Sequence, residues 1–254
     1  MDKSDAKSSG IPAGHPGIYY KSFLSKISQL RGTRVYLEIG VQAGLLFSEI
    51  HADHAVAVDP AFLLEHNIAH HKKSIYLYHD TSDRFFSDPK ASAVLGGKID
   101  LAFLDGLHIF EFLLRDFYNT EAFSSKSGLI IMHDCLPLSC EMAIRNEGQA
   151  IESGKSTAYP NHWTGDVWKV VAILAKYRPD LTITCLDSHP TGLVCISNLN
   201  PDSMFLPDNY SMIVKEFREL PNDHASLQAF YGSTPIQSAD AIVDDFDHSL
   251  YFRV

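Results

Sequence analysis

The chain has 254 residues, 45% of them hydrophobic and 20% charged, which is enough apolar material for a full core and excludes a disordered chain. Asp and Glu outnumber Lys and Arg by 31 to 21, giving a net charge of −10, and no Lys/Arg-rich run occurs. Nucleic-acid backbone binding needs clustered cations and is therefore not expected.

No run of about 18 apolar residues is present, and the polar stretch Met1–Gly10 lacks the apolar segment of a secretory signal, so no membrane partner is expected. Cys135, Cys140, Cys185 and Cys195 form no CxxC pair. They read as reduced thiols, and a cytoplasmic location is expected.

Residues 1–16, with Ser, Lys, Asp, Gly and two prolines, read as a flexible lead-in. Apolar positions 18, 19, 20, 23, 24, 27 and 30 predict a helix that Gly32 stops. Arg34–Ile39 is a first strand, Leu45–His51 a short helix, and His54–Asp59 a second strand closed by Pro60. A helix is expected over 61–71, a third strand over Ser74–Tyr78 and a fourth over Ile99–Asp105. A long amphipathic helix over 108–123 leads to a fifth strand, Gly128–Asp134. This alternation implies right-handed βαβ units and a parallel sheet covered on both faces.

After Asp134 the rhythm changes. Residues 139–163 are polar and irregular, and 166–177 repeat apolar residues at helical spacing. Leu181–Leu186 and Gly192–Ile196 read as strands joined by Asp-Ser-His-Pro-Thr, too short for a helical crossover, so they pair antiparallel. One more helical pattern lies around 208–219 before a polar stretch. The expected organisation is a lead-in (1–16), a main domain (17–200) with an insertion at 135–166, and a helical extension (201–254).

In an open parallel sheet, ligands bind beyond the carboxyl ends of the strands. Each of the five parallel strands ends in an acidic residue: Glu38, Asp59, Asp80, Asp105 and Asp134. The turn Gly40-x-x-x-Gly44 has Gln42 at the second glycine position of G-x-G-x-x-G, which argues against a dinucleotide pyrophosphate. Asp59, nineteen residues after Gly40, is placed to accept hydrogen bonds from ribose hydroxyls, and Glu38 to face a cationic group. These features suit a cationic nucleoside such as S-adenosylmethionine.

A second group is Asp105, His108, His133 and Asp134. Carboxylates with histidine suit a divalent cation, magnesium first, with manganese or iron open. Such an ion acidifies an aliphatic hydroxyl, and His108 is the expected base.

Leu-Glu-Ile-Gly-Val-Gln-Ala-Gly (37–44), Val-Asp (58–59), Phe-Leu-Asp-Gly-Leu-His (103–108) and Gly-Leu-Ile-Ile-Met-His-Asp-Cys (128–135) give the chain a resemblance to the class I S-adenosylmethionine-dependent methyltransferases. It is most similar to the metal-dependent sugar O-methyltransferases of macrolide biosynthesis, and Thr-Gly-Asp-Val-Trp-Lys (164–169) also recurs in that branch. The resemblance spans about residues 34–198. It implies a Rossmann-like, doubly wound α/β fold with seven strands, mostly parallel, ending in an antiparallel pair. It implies that Glu38 and the Gly40–Gly44 loop face the methionine part, that Asp59 holds the ribose, and that Asp80 lies near the adenine. Asp105 then borders both the cofactor and the metal, Asp105, His133 and Asp134 hold the metal, and His108 is the base. His133 stands where metal-dependent members have an acidic residue. The acceptor is a small molecule or a sugar, covered by 135–166, with a homo-oligomer left open. Two other readings remain: a metal-dependent oxygenase or hydrolase using Asp105, His133 and Asp134, and a non-catalytic nucleoside-binding protein.

Other singled-out residues read more simply. Cys135, Cys185, Cys195 and Trp168 are core. Trp163, Tyr159 and His162 form an aromatic loop suited to stacking on a sugar or ring. His70-His71 reads as a solvated helix end and Asp244-Asp245 as solvated surface.

Overall fold

The computed structural model describes residues 10–244 and Phe252. Strand β1 (Gly17–Tyr19) leads into helix α1 (Tyr20–Leu30). Then come β2 (Val35–Ile39), α2 (Leu45–Glu49), β3 (Ala52–Val58), β4 (Lys72–Tyr78), α3 (Ser82–Ser87), α4 (Ala91–Leu95), β5 (Ile99–Leu104), α5 (Phe110–Phe123) and β6 (Ser124–His133). The second half holds α6 (Glu147–Gly154), α7 (Trp168–Tyr177), β7 (Thr182–Leu186), β8 (Ser188–His189), β9 (Leu193–Ser197), α8 (Phe205–Arg218), α9 (His224–Ser233), β10 (Ile236–Gln237) and α10 (Ala239–Asp244).

The main sheet has the order β10-β7-β9-β6-β5-β2-β3-β4, and only β9 runs against the rest. The chain steps outward from β2 to β4 and then returns to β5 on the other side of β2. That reversal opens a crevice beyond the carboxyl ends of β2 and β5, where α/β sheets bind ligands. The fold is therefore doubly wound α/β with a terminal antiparallel pair, as the sequence implies. The strand count differs: β10 adds an eighth strand, and β1 pairs with β8 in a separate two-stranded sheet.

The two faces of the sheet follow the two-residue period of a strand. Leu37, Ile39, Val56, Val58, Ala102, Leu104, Ile130 and Met132 bury into one apolar layer. Tyr36, Ala55, Ala57, Leu101, Phe103, Leu129 and Ile131 bury into the other. Trp168 and the three cysteines read as core are buried, the cysteines as free thiols. No helix among the described residues is long and apolar enough to cross a membrane.

Three local expectations need correction. The helix expected over 61–71 is absent; Leu63 N–H donates to the Gln42 carbonyl and Glu65 N–H to that of Ala43. The glycine turn captures these amides, and a tertiary hydrogen bond overrides helical periodicity. His70 and His71 are accordingly exposed loop residues, with His71 stacked on both His51 and His70. The part of the lead-in within the described residues is packed: His15 is buried with Nε2 at 3.1 Å from the Leu136 carbonyl, and Tyr159 hydroxyl donates to the Ala13 carbonyl. The C-terminal extension holds two further helices and β10, which pairs with Cys185 and Leu186. A two-residue strand carries no periodicity to read. Asp244 is exposed, and Asp245 lies outside the described residues.

Candidate active site

A cavity of about 640 Å³ lies at the switch point between β2 and β5. Its first wall is the turn after β2. Gly40 has φ +85°, and a Cβ there would sit 2.0 Å from the Asp105 carbonyl oxygen, so only glycine lets the ends of β2 and β5 touch. Gly44 (φ +77°) starts α2, and a Cβ there would meet Leu64 at 2.9 Å; it shapes the turn from behind and does not line the cavity.

Asp59 braces this turn. Its Oδ2 accepts from the Val41 and Gln42 amides at 2.7 and 2.8 Å, and its Oδ1 accepts from Ala61 at 2.7 Å. It still borders the cavity, where Oδ1 retains acceptor capacity. Glu38 is buried and accepts from the Tyr36 hydroxyl at 2.5 Å. Burial pushes its carboxyl up to about 8, against the opposing pull of the Tyr36 hydrogen bond. Asp80 is exposed and accepts from the Thr81 amide; the cavity wall at this point is Thr81, Ser82 and Asp83 instead.

The remaining four residues converge. His108 Nε2 lies 3.4 Å from Asp105 Oδ1 and 3.2 Å from Asp134 Oδ2. His133 Nδ1 lies 3.2 and 3.3 Å from the same two oxygens. Asp134 adopts φ +57°, a left-handed conformation that Asp tolerates better than most residues, at the point where β6 ends. Burial opposes charge on both imidazoles, yet the two carboxylates raise His108 to about 9 and His133 to about 10. Burial likewise opposes ionisation of Asp105 and Asp134, but the imidazoles hold both below the ordinary carboxylate range. The result is an alternating ring of two carboxylates and two imidazoles.

Ligand atoms of Asp105, His108 and Asp134 all lie within 4.8 Å of one another, the one such trio among the described residues. His133 sits deeper, with the Tyr20 ring stacked on it at 4.1 Å and Nε2 paired with Thr191 Oγ1 at 3.3 Å.

His108 is held from outside its own loop. Its Nδ1–H donates to the Trp163 carbonyl at 2.9 Å, which leaves Nε2 aimed at the carboxylates. Gly165 (φ +56°) packs so closely that a Cβ would fall 1.7 Å from the His108 carbonyl oxygen. Asp166 Oδ1 accepts the Phe110 amide at 3.0 Å, satisfying the first turn of α5, and is itself paired with Arg145 and Lys169. The segment Thr164–Lys169 thus clasps the loop that carries His108. Of the aromatic loop, Trp163 lines the cavity against the His108 ring, whereas Tyr159 and His162 do not.

Sequence reasoning missed several cavity residues. Tyr20 and Lys21 reach in from the start of α1, and nothing in their spacing signals it. Asp116 did leave a signal: it is a carboxyl on the buried side of α5, and burial pushes it up to about 7.

No protein-family profile matches the chain, and no curated protein matches it by sequence. Similar solved structures exist. The O-methyltransferase from Bacillus cereus, in complex with SAH, is 15% identical with a TM-score of 0.49; the match covers 74% of this chain and 84% of that one. TomG from Streptomyces achromogenes, an O-methyltransferase involved in tomaymycin synthesis in complex with SAM, is 15% identical with a TM-score of 0.45, covering 71% and 80%. The MycE methyltransferase of the mycinamycin biosynthetic pathway, in complex with Mg and SAH, is 14% identical with a TM-score of 0.41, covering 77% and 54%.

Proposed function

We propose that the chain is an S-adenosylmethionine-dependent O-methyltransferase acting on a hydroxyl of a small molecule or a sugar. The observation that carries this reading is the meeting, in one cavity, of the Glu38–Gly40–Asp59 wall with the Asp105–His108–Asp134 cluster. The first wall has acceptors for an ammonium group and for ribose hydroxyls and no glycine-lined pyrophosphate cradle. Lys21, the lone lysine bordering the cavity among the described residues, suits the methionine carboxylate.

The donor set also fits a divalent cation, since two carboxylates and an imidazole already converge on one point. Asp105 and Asp134 would hold the ion, with His133 behind them. The ion would lower the pKa of an acceptor hydroxyl and fix its lone pair. An ion held by Asp105 and Asp134 would neutralise the carboxylates that keep His108 protonated, and its Nε2, left as the acceptor by the Nδ1–H bond to Trp163, would then take the hydroxyl proton. S-adenosylmethionine would supply the methyl group, the O–CH3 bond forming in line as the S–CH3 bond breaks and S-adenosylhomocysteine leaves, so the chain's own contribution is mostly positioning. Trp163 packs against the acceptor and, with the rest of 135–166, keeps water out.

Calorimetric titration of S-adenosylmethionine, with magnesium and then with chelator, tests the cofactor. Micromolar binding in both conditions is expected; absence of binding in both refutes the reading. His108→Ala separates base from ligand. As a base, its loss leaves magnesium affinity near wild type and removes methyl transfer in an acceptor screen. A loss of metal affinity of about tenfold or more would make it a ligand instead.

One observation favours a second reading. The two imidazoles with one of the two carboxylates also match the donors of iron-dependent oxygenases. That enzyme needs no nucleoside, so Asp59→Ala would leave its activity intact.

A further inference from the structure

His133 stands behind Asp105 and Asp134 without a part of its own in the proton transfer. It is the last residue of β6, buried, and in register with Leu193 where β6 and β9 pair antiparallel. The chain enters β9 through a tight turn. The Gly192 amide donates to the Ser188 carbonyl, and Gly192 takes φ +72°, where a Cβ would fall 2.4 Å from Leu136. This turn sets Thr191, itself buried, beside the end of β6, with Oγ1 3.3 Å from His133 Nε2.

Both imidazoles of the cluster share one arrangement. The far nitrogen of each meets an oxygen outside the cluster, Thr191 Oγ1 for His133 and the Trp163 carbonyl for His108. The near nitrogen of each faces Asp105 Oδ1 and Asp134 Oδ2. Metal-bound histidine is held in this way, its other N–H donated to an outer oxygen that fixes tautomer and ring. Spacing points the same way. Charged N–H···O pairs close to about 2.7–2.9 Å, whereas His133 Nδ1 stays 3.2 and 3.3 Å from the two oxygens. Donors at right angles on an ion with bonds of about 2.2 Å stand about 3.1 Å apart. A nitrogen donor has a chemical consequence. Magnesium takes oxygen ligands and keeps its waters, whereas imidazole suits iron, nickel and zinc, with cobalt between iron and nickel in the same affinity series.

We propose that this site selects a transition-metal dication over magnesium, with His133 Nδ1 as a direct donor beside Asp105 and Asp134, and with Thr191 positioning the imidazole. The proposal rests on the reading that an ion binds here, and not on the identity of the methyl donor.

Calorimetric titration of the full chain with cobalt and, separately, with magnesium tests this, together with proton NMR of the cobalt-loaded protein. Cobalt shifts the protons of an imidazole bound to it far outside the ordinary range, and an N–H among them disappears in D2O. Wild type is expected to bind cobalt more tightly than magnesium and to show the shifted Nε2–H of His133. His133→Asn should remove that resonance and cut cobalt affinity at least about tenfold, with magnesium affinity unchanged; His108→Ala should keep the resonance. Thr191→Val should weaken cobalt about tenfold and leave magnesium alone, and Thr191→Ser should restore it. A wild type without a shifted N–H, a resonance that survives His133→Asn, or cobalt and magnesium affinities that fall together in Thr191→Val overturns the proposal. The first of these needs no variant and decides even where His133→Asn does not fold. A wild type that binds neither ion ends the metal reading too, whereas a failed S-adenosylmethionine titration ends the cofactor reading alone.

Discussion

Glu38 shows how burial sets the charge of a single group before any ligand arrives. Its carboxyl is raised to about 8, so near neutral pH it is largely protonated while it still accepts from the Tyr36 hydroxyl. A raised folded pKa contributes stability that is fully present below the unfolded value, near 4.5, and is lost as pH rises through about 8. Glu38→Gln abolishes that loss, so thermal melts of the variant should gain on wild type between pH 5 and pH 9, by up to a few kcal/mol. A cationic ligand group beside Glu38 favours the carboxylate. S-adenosylmethionine binding at pH 7 is therefore expected to release a proton, seen as a calorimetric enthalpy that changes with the buffer, and the release should vanish in Glu38→Gln.

Among elements, the packing of α5 against the second half of the chain depends on buried charge. Arg178, at the end of α7, makes a two-pronged pair with Glu121 of α5 at 2.7 and 2.8 Å, both side chains almost fully buried. Glu121 Oε1 also accepts the Asn200 amide, so one carboxylate ties together α5, α7 and the turn after β9. Arg178→Ala strands that carboxylate and should cost about 3–5 kcal/mol in urea denaturation. At the other end of α5, Asp166 performs the capping that no residue next to the helix supplies, since Ile109 has no side-chain cap. The segment 164–169 stands out in the sequence only through its resemblance to other chains. Its purpose becomes visible only when the fold sets Gly165 and Asp166 against His108 and Phe110.

For the whole molecule, charge distribution bears on the ligand. Among the described residues, six carboxyl side chains besides the protonated Glu38 border the cavity, against Lys21, His108 and His133, within a chain of net charge −10. Such a field draws in cations and is screened over about 10 Å at 0.1 M salt. Raising ionic strength should therefore weaken S-adenosylmethionine binding more than binding of S-adenosylhomocysteine, which lacks the sulfonium charge. Parallel titrations at low and high salt check this, and equal salt slopes would contradict it.

By itself the sequence determined most of the alternation of strands and helices and the acidic strand ends. Each rests on short-range pattern: a two-residue period for strands, a 3.6-residue period for helices, and a carboxylate at a fixed place after a strand. Asp105, His108, His133 and Asp134 were legible because β5 and β6 are neighbours, so residues at both strand ends had to meet. Tertiary structure decided what depends on distant backbone. It turned residues 61–71 into a loop by offering the Gln42 and Ala43 carbonyls to their amides. It brought Lys21 and Asp116 into the cavity wall and left Asp80 outside it. It fastened β10 to the far edge and left β4 open on the near one. Pairing between distant segments leaves no local period to read, because its hydrogen bonds belong to the backbone and are the same for every side chain.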